Sequence, residues 1–289
     1  MNIFNINFKF LGLTKKSIDE ASIMKYLNRG GATRICFGTT HAEALKLTSD
    51  GGDIKAWLNL PFADTIKVML ERKVGNGVTL YEKKNGNGYC FPAKNDETVN
   101  AIKDFVKKYQ DVVFLCDNLD MSVAISMHES EPGKRTAIGE AEYQVKYNPD
   151  NKDTTVERAL LLDKLRATLD DMPYYNNADY ICAIPSSKTF VREMIANLEG
   201  WNGKDISDKV SWRSKDKDLK NIESTEEKME ALKGFGLTFD NLDLKNKAIV
   251  LVDDMYKSGL TMQFVAMKMK EAGAKYVFGI CLVKALGNN

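Results

Sequence analysis

Residues 248–261 constrain the fold more than any other part of this 289-residue chain. The segment begins with five consecutive apolar residues at 248–252, and two adjacent carboxylates follow them. After a short glycine-containing loop, apolar residues at helical spacing predict a helix at 261–272. An unbroken apolar strand that leads into a helix is typical of a parallel sheet covered on both faces. The segment therefore favours an α/β fold.

Alternating strands and helices extend this pattern on both sides. In the C-terminal half, we predict strands at 180–184 and 276–283 and helices at 154–171 and 188–198. The apolar side of the first of these helices is expected to contain Val156, Ala159, Leu160 and Leu165. In the N-terminal part, the predicted elements are a strand at 3–10, a helix at 17–28 that begins with a capping box, a strand at 32–38, a hairpin within 77–92, a helix at 95–110 and a strand at 112–116.

The chain is expected to have two parts. Charge, glycine and proline are concentrated at 129–153, which indicates a domain boundary or a large loop. We therefore predict an additional N-terminal α/β region, residues 1–130, followed by a core built on a parallel sheet, residues 131–289.

The residues that can carry chemistry follow the apolar strand. Asp253 and Asp254 come at its carboxyl end, where ligands bind in open α/β sheets. The loop after them contains Lys257, Ser258, Gly259, Leu260 and Thr261. It opens a helix, whose first N–H groups favour an anion, and its glycine lets the backbone approach a phosphate closely. Because carboxylates accept hydrogen bonds from vicinal hydroxyls, the spacing predicts a ribose 5-phosphate, with the diol on the aspartates and the phosphate on the loop.

The same span resembles the signature of type I phosphoribosyltransferases, and its form, Asp-Asp-Met-Tyr-Lys-Ser-Gly-Leu-Thr-Met, is most similar to the ComF-like members. The resemblance extends over roughly residues 138–286 and implies a phosphoribosyltransferase-like domain there. It implies that Asp253 and Asp254 hold the 2- and 3-hydroxyls of phosphoribosyl pyrophosphate (PRPP), and that residues 257–261 hold its 5-phosphate. Lys257 departs from the usual threonine or serine. The alternative is an ordinary strand–loop–helix turn with solvated aspartates.

Two further segments match the family pattern. Ser186, Ser187 and Lys188 follow the predicted strand at 180–184, in the position of the family loop that binds pyrophosphate through backbone amides. The polar stretch 213–233 occupies the interval of a mobile loop that brings basic residues to the pyrophosphate. The candidates in that stretch are Arg213, Lys215, Lys217, Lys220 and Lys228. A capped helix start and a solvated charged face are the respective alternatives. Residues 140–147 resemble a Lys-Tyr segment at the start of the family core and are interpreted as a boundary.

The resemblance implies binding of PRPP or a ribonucleotide 5-phosphate and displacement of pyrophosphate at the anomeric carbon. It implies Mg²⁺ as the cofactor and PRPP as the substrate, with the metal held by Asp253 and Asp254 indirectly, through PRPP or water. The catalytic candidates are Asp253, Asp254, Lys188 and Arg213. Two other functions stay open. One is a non-catalytic sensor of PRPP or nucleotides that acts as a regulator or effector in DNA uptake, DNA processing or phage defence; the other is a hydrolase of PRPP or nucleotides.

Composition limits the partners and the location. Forty-one basic and 40 acidic residues leave a net charge of +1, which does not support nucleic acid or a membrane surface as a partner. The five cysteines form no Cys-x-x-Cys pair and there are two histidines, so a zinc site is not expected. The chain shows no signal-peptide pattern and no apolar run of ~20 residues, so we predict a cytoplasmic protein. A protein partner for the N-terminal region and a homodimer are left open.

Overall fold

The computed structural model describes residues 10, 12–48, 52–75, 78–148, 152–214 and 218–287. The helices are α1 Glu20–Leu27, α2 Ile66–Lys73, α3 Asp96–Lys108, α4 Ala137–Tyr147, α5 Thr155–Asp171, α6 Phe190–Ala196, α7 Thr225–Phe235 and α8 Leu260–Glu271. The strands are β1 Arg34–Ile35, β2 Leu45–Leu47, β3 Ala56–Leu60, β4 Tyr81–Glu82, β5 Tyr89–Ala93, β6 Val113–Leu115, β7 Met121–Met127, β8 Glu129–Glu131, β9 Lys134–Arg135, β10 Tyr180–Ala183, β11 Lys204–Asp205, β12 Val210–Trp212, β13 Leu237–Phe239, β14 Ala248–Tyr256 and β15 Tyr276–Lys284. The predicted strand at 3–10 falls almost entirely outside the described residues.

Seven strands form the central sheet, in the order β1-β6-β7-β15-β14-β10-β11. Strands β7, β15, β14, β10 and β11 run parallel to one another. At one edge, β6 pairs antiparallel with β7, and β1 pairs antiparallel with β6. Every residue of β15 is buried, as are the first five residues of β14, which accounts for the central position of these two strands. The predicted α/β class with a mostly parallel sheet is confirmed.

Helices cover both faces of this sheet, and each face has its own apolar core. On one face, α4, α5 and α6 pack with Val250 and Ile280. On the other face, α1, α7 and α8 pack with Leu251 and Cys281. Neighbouring strand residues thus enter opposite cores, as the alternation of side chains along a strand requires. Among the described residues, none of the helices combines the length and the apolar character that a bilayer span needs.

The central sheet continues across the predicted boundary at residue 130. Strand β7, from the N-terminal part, pairs in parallel with β15, and its register runs from Met121 opposite Phe278 to Met127 opposite Lys284. The N-terminal part also forms a separate antiparallel sheet in the order β2-β3-β5-β4, which contains the predicted hairpin. The two parts therefore share one sheet, and their division into two units stays a prediction.

Three local predictions differ from the structure. The capping box at the start of α1 is formed by Asp19 and Ser22, two residues later than predicted: Ser22 N donates to Asp19 Oδ1 at 2.7 Å and Asp19 N donates to Ser22 Oγ at 2.9 Å. The stretch 129–153, predicted as a boundary or loop, contains the β8–β9 hairpin and helix α4. A third difference concerns α5, where Val156 is 77% exposed and Ala159 is exposed. The prediction for Leu165 is confirmed, and the buried side contains Leu161 and Leu169 with it, because residues four apart lie on one side of a helix.

Candidate functional site

The two aspartates lie where neighbouring strands of the sheet separate. Strand β10 pairs with β14 only as far as Ala183 opposite Val252, and Ile184 N then donates to Val252 O at 2.8 Å. Beyond that point β14 continues through Asp253 and Asp254 while the chain after β10 turns away. A crevice at the carboxyl ends of parallel strands results, which is the usual position of a ligand in an open α/β sheet. Both aspartates line two cavities, one shared with the loop after β14 and one shared with the turn after β10.

The loop between β14 and α8 forms one wall of the larger cavity. Gly259 has φ +79°, and a Cβ atom at this position would overlap the ring and hydroxyl of Tyr256. Only glycine fits there without a shift of its neighbours. Ser258 Oγ accepts a hydrogen bond from Leu260 N at 3.4 Å, at the start of α8. All residues from Asp253 to Met262 line this cavity, whose volume is about 770 Å³.

The aspartates differ in their electrostatic surroundings. Asp253 is partly buried, and its Oδ1 accepts a hydrogen bond from Asp254 N at 2.9 Å. Burial and then the neighbouring Asp254 carboxylate raise the pKa of Asp253 well above its usual value. Asp254 instead forms an ion pair with Lys146, whose Nζ lies 2.8 Å from Asp254 Oδ2.

Lys146 is a site residue that the sequence did not reveal. Its Nζ also lies 3.2 Å from Oε1 of Glu142, a fully buried residue one helical turn earlier in α4. Burial disfavours the Lys146 charge, but the carboxylates of Asp254 and Glu142 outweigh it and raise the Lys146 pKa. Burial likewise raises the pKa of Glu142. The i, i+4 spacing of Glu142 and Lys146 is visible in the sequence; their approach to Asp254 is not.

A second cavity is also lined by the two aspartates. It has a volume of about 300 Å³, and its lining includes Ser186, Ser187 and Lys188 together with Asp253 and Asp254. Ser186 Oγ accepts a hydrogen bond from Lys188 N at 3.2 Å, which shapes this turn before α6. The turn is also held by Trp212, whose Nε1 donates to Pro185 O at 2.9 Å. The structure thus brings the residues at 186–188 to the same crevice as the aspartates.

The polar stretch 213–233 divides between different surroundings. Lys220 and Lys228 line the larger cavity. Among the described residues, Arg213 lines neither cavity: it is exposed and lies beside Gly236, whose carbonyl oxygen accepts a hydrogen bond from Arg213 N at 2.8 Å. Lys215 and Lys217 fall outside the described residues. The later part of the stretch forms α7, which buries Met229, Leu232 and Phe235, so this part is packed rather than open loop.

The N-terminal part supplies another wall of the larger cavity. Tyr26, Arg29 and Thr33 line it, at and after the end of α1. The Tyr26 hydroxyl lies 3.3 Å from the Tyr256 hydroxyl, which donates to Asp117 Oδ2 at 3.1 Å. Burial raises the pKa of both tyrosines, so both hydroxyls stay protonated at neutral pH. The predicted strand–loop–helix is therefore enclosed partly by residues far earlier in the chain.

The carboxylates present fit one type of metal binding. No group of three or more histidine, cysteine, aspartate or glutamate side chains among the described residues could hold an ion without help. Mg²⁺ is commonly bound by one or two carboxylates while it keeps water and takes oxygens from a substrate phosphate. Asp253 and Asp254, which both border the two cavities, fit a Mg²⁺ ion shared with a phosphorylated ligand.

Comparisons with known proteins return phosphoribosyltransferase structures at low similarity. The chain matches no family model and no curated protein. Among solved structures, it is similar over 44% of its length to a purine phosphoribosyltransferase from Pyrococcus horikoshii Ot3, with 19% identity, 71% of that chain covered and a TM-score of 0.28. It is similar over 44% to a hypoxanthine-guanine phosphoribosyltransferase from Bacillus anthracis, with 14% identity, 67% of that chain covered and a TM-score of 0.29. It is also similar over 44% to an HGPRT-ase from Leishmania tarentolae in complex with GMP, with 16% identity, 63% of that chain covered and a TM-score of 0.24. Likenesses at these TM-scores do not establish a family, so the function is argued from the site itself.

Proposed function

We propose that this protein binds PRPP or a ribonucleotide 5-phosphate and, with Mg²⁺, displaces pyrophosphate from the anomeric carbon of the ribose. The observation that carries the proposal is that Asp253 and Asp254 line both of two cavities, each bordered by a loop before a helix. In ribose, the 2- and 3-hydroxyls stand between C1 and C4, which carries the 5-phosphate arm. A diol held by the two aspartates would therefore direct the 5-phosphate to one cavity and the C1 substituent to the other.

Each loop has groups suited to its part of such a ligand. Residues 257–261 offer two hydroxyls and the first N–H groups of α8 to the 5-phosphate. The turn at 186–188 offers the Lys188 ammonium group and backbone N–H groups to the pyrophosphate at C1. Of the two basic residues predicted to be catalytic, Lys188 borders the crevice and Arg213 does not.

The reaction would break the bond between C1 and the pyrophosphate oxygen, with the electron pair leaving on pyrophosphate. Positive charge would develop on C1 and the ring oxygen, and a nucleophile would then form the new bond to C1. Asp253 and Asp254 would orient the ring through its diol, and Lys188 would stabilise the charge on the leaving group. A bound Mg²⁺ ion would neutralise charge on the pyrophosphate.

A sensor is the second candidate, and one observation favours it. The hydroxyl contact between Tyr26 and Tyr256 joins the N-terminal part to the strand that carries the aspartates. A regulator or effector would require ligand binding at the loop to alter the N-terminal part, and this contact is a direct link between the two. For either function, we also propose a cytoplasmic location and leave open a protein partner for the N-terminal region and a homodimer.

Pyrophosphate release separates the candidate functions. The protein is incubated with PRPP, Mg²⁺ and a panel of nucleobases, and release that depends on a base supports transfer. Release without a base supports hydrolysis, and tight binding without turnover supports a sensor. The variant Asp253→Asn/Asp254→Asn is expected to lose PRPP binding, whereas Asp104→Asn, an exposed carboxylate on α3, should retain it. Unchanged binding in the double variant would refute the site.

A further inference from the structure

The larger cavity extends beyond the phosphate loop to a group of cations. Arg29, Lys220 and Lys228 line it together with Lys257 of the loop itself. Among the described residues that line the cavity, the acidic ones are Glu223, Asp253 and Asp254. Lys146 forms an ion pair with Asp254, whereas none of these other cations, all among the described residues, forms an ion pair with either aspartate. This side of the cavity therefore has a surplus of positive charge next to the position expected for the 5-phosphate.

Arg29 is exposed, and contacts with its neighbours connect its guanidinium group to that loop. Its guanidinium group lies 4.6 Å from the centre of the Tyr26 ring and donates to Cys116 O at 3.3 Å. The Tyr26 hydroxyl lies 3.3 Å from that of Tyr256, and the Tyr256 ring lies directly against Gly259. A short series of contacts thus connects Arg29 to the phosphate loop.

Lys220 and Lys228 come from the segment that leads into α7 and from that helix itself. Lys228 lies in the first turn of α7, and Lys220 precedes that helix and pairs with Asp218 at 2.9 Å. The Lys220 pair is exposed, and such pairs hold their partners weakly, so this cation is available to a ligand. Tyr147 also lines the cavity and is 56% exposed, which leaves an aromatic side chain accessible for a base to stack on.

A ribose with a single 5-phosphate group would leave these cations and the Tyr147 ring without a contact. The loop at 257–261 is sufficient for one phosphate, yet the volume of about 770 Å³ lies in the upper part of the range for small-molecule sites, roughly 300–1,000 Å³. A second phosphate attached to the first would reach the cations beyond the loop. A nucleoside attached to that second phosphate would have Tyr147 within the same cavity.

We propose that the ligand of this site is a ribose 5-diphosphate ester, such as the terminal ribose of a nucleoside diphosphate ribose. The inference rests on the proposed function for the place of the ribose and its first phosphate. It adds that Arg29, Lys220 and Lys228 bind a second phosphate, and that the ligand carries a nucleoside beyond it. The chemical class is thus a dinucleotide-like molecule whose terminal ribose and first phosphate occupy the places assigned to them in the proposed function.

Two probes that share the same ribose test this inference. The affinities of the 289-residue protein for ribose 5-phosphate, for ADP-ribose and, as a reference for the proposed function, for PRPP are measured by calorimetry in the presence of Mg²⁺. We expect ADP-ribose to bind about tenfold tighter or better, the effect of one charge-assisted contact on a dissociation constant. In Lys220→Gln/Lys228→Gln, this preference should fall severalfold while the affinity for ribose 5-phosphate stays within about twofold. Arg29→Gln should also reduce the preference for ADP-ribose over ribose 5-phosphate.

A control variant and the pattern of binding results distinguish a failure of this inference from a failure of the proposed function. Lys245→Gln changes an exposed lysine at the opposite end of β14 and should leave both affinities unchanged. Binding of ribose 5-phosphate and PRPP without any preference for ADP-ribose would overturn this inference and leave the proposed function standing. A preference that persists unchanged in the double variant would overturn the assigned residues. Failure of all three sugar phosphates to bind would overturn both proposals.

Discussion

Lys146 Nζ lies between two carboxylates, 2.8 Å from Asp254 Oδ2 and 3.2 Å from Glu142 Oε1. Glu142 is fully buried, while the side chains of Lys146 and Asp254 are 15% and 17% exposed. One cation therefore neutralises a buried acid of α4 and fixes an acid of β14 at the edge of the crevice. The contact ties the first helix of the C-terminal half to the position at which a ribose diol would bind.

Removal of the Lys146 charge should destabilise the protein. In Lys146→Met, the buried Glu142 carboxylate and Asp254 would lose their shared cation, and the loss of one partner from a buried ion pair commonly costs about 3 kcal/mol or more. We expect the free energy of unfolding in urea to fall by an amount of this order. Lys134→Met, which changes an exposed lysine in β9, should have little effect.

A double variant tests the cause of this loss. Glu142→Gln in the Lys146→Met background removes the buried uncompensated charge while it keeps the shape of the side chain. Part of the lost stability should therefore return, and the two substitutions should not be additive. Strict additivity would show that Lys146 contributes through packing rather than through its charge.

The adjacent aspartates should respond oppositely to neutralisation. Burial and the Asp254 carboxylate raise the pKa of Asp253, so its ionised form disfavours the folded state at neutral pH. The protonated Asp253 carboxyl contributes stability that is fully present below the pKa of an aspartate in the unfolded chain, about 4. That stability is lost as the pH rises through the higher pKa of Asp253 in the folded protein. Asp253→Asn should thus raise the thermal midpoint at neutral pH by about 2–4 °C for each kcal/mol gained. Near the unfolded pKa this gain should vanish, because the wild-type carboxyl is already protonated there.

Asp254→Asn provides the contrast in the same series of melting curves. The substitution removes the carboxylate that pairs with Lys146, so the cation keeps only Glu142. We expect a lower thermal midpoint at neutral pH, opposite in sign to Asp253→Asn. Equal shifts in the same direction would mean that the Lys146 ion pair does not distinguish the two aspartates.

The sequence predicted elements and the local part of the site, because both depend on neighbouring residues. The apolar run at 248–252 indicated the central strand, and the loop after it indicated the start of α8. Helix α4 was missed because its charged and glycine-containing sequence has a weak apolar pattern. Its N-cap Thr136, which accepts from Gly139 N at 2.9 Å, was a usable signal that the surrounding turn residues obscured.

Contacts between distant segments could not be read from the sequence. Lys146 and Asp254, Tyr26 and Tyr256, and Trp212 and Pro185 are brought together only by the sheet order and the packing of helices on it. Each pair joins elements whose separation along the chain carries no periodic signal. For the same reason, Arg213 matched the expected interval yet lies beside Gly236 rather than in the crevice.

Trp212 should report ligand binding at the smaller cavity. Its Nε1 donates to Pro185 O at 2.9 Å, and the residue lines the cavity with Ser186, Ser187 and Lys188. Addition of pyrophosphate and Mg²⁺ should alter the environment of the indole and change the intrinsic fluorescence. The change should disappear in Trp212→Phe and remain in Trp57→Phe, which alters a tryptophan of β3. A signal that survives in Trp212→Phe would place the pyrophosphate elsewhere.

Gly259 and Gly133 allow the geometry of the phosphate loop to be tested with a matched control. Their φ angles are +79° and +78°, so an alanine at either position adopts the same unfavourable left-handed backbone, at a cost of about 1–2 kcal/mol. Only at Gly259 would the added Cβ atom overlap Tyr256, because the space around Gly133 is open. Gly133→Ala should therefore lower the free energy of unfolding by about 1 kcal/mol and leave the affinity for ribose 5-phosphate unchanged. Gly259→Ala should lower stability further and weaken that affinity by about tenfold or more, because the Tyr256 ring or the loop must move. Equal effects of the two substitutions on both measurements would show that the close approach of Tyr256 to Gly259 does not shape the phosphate site.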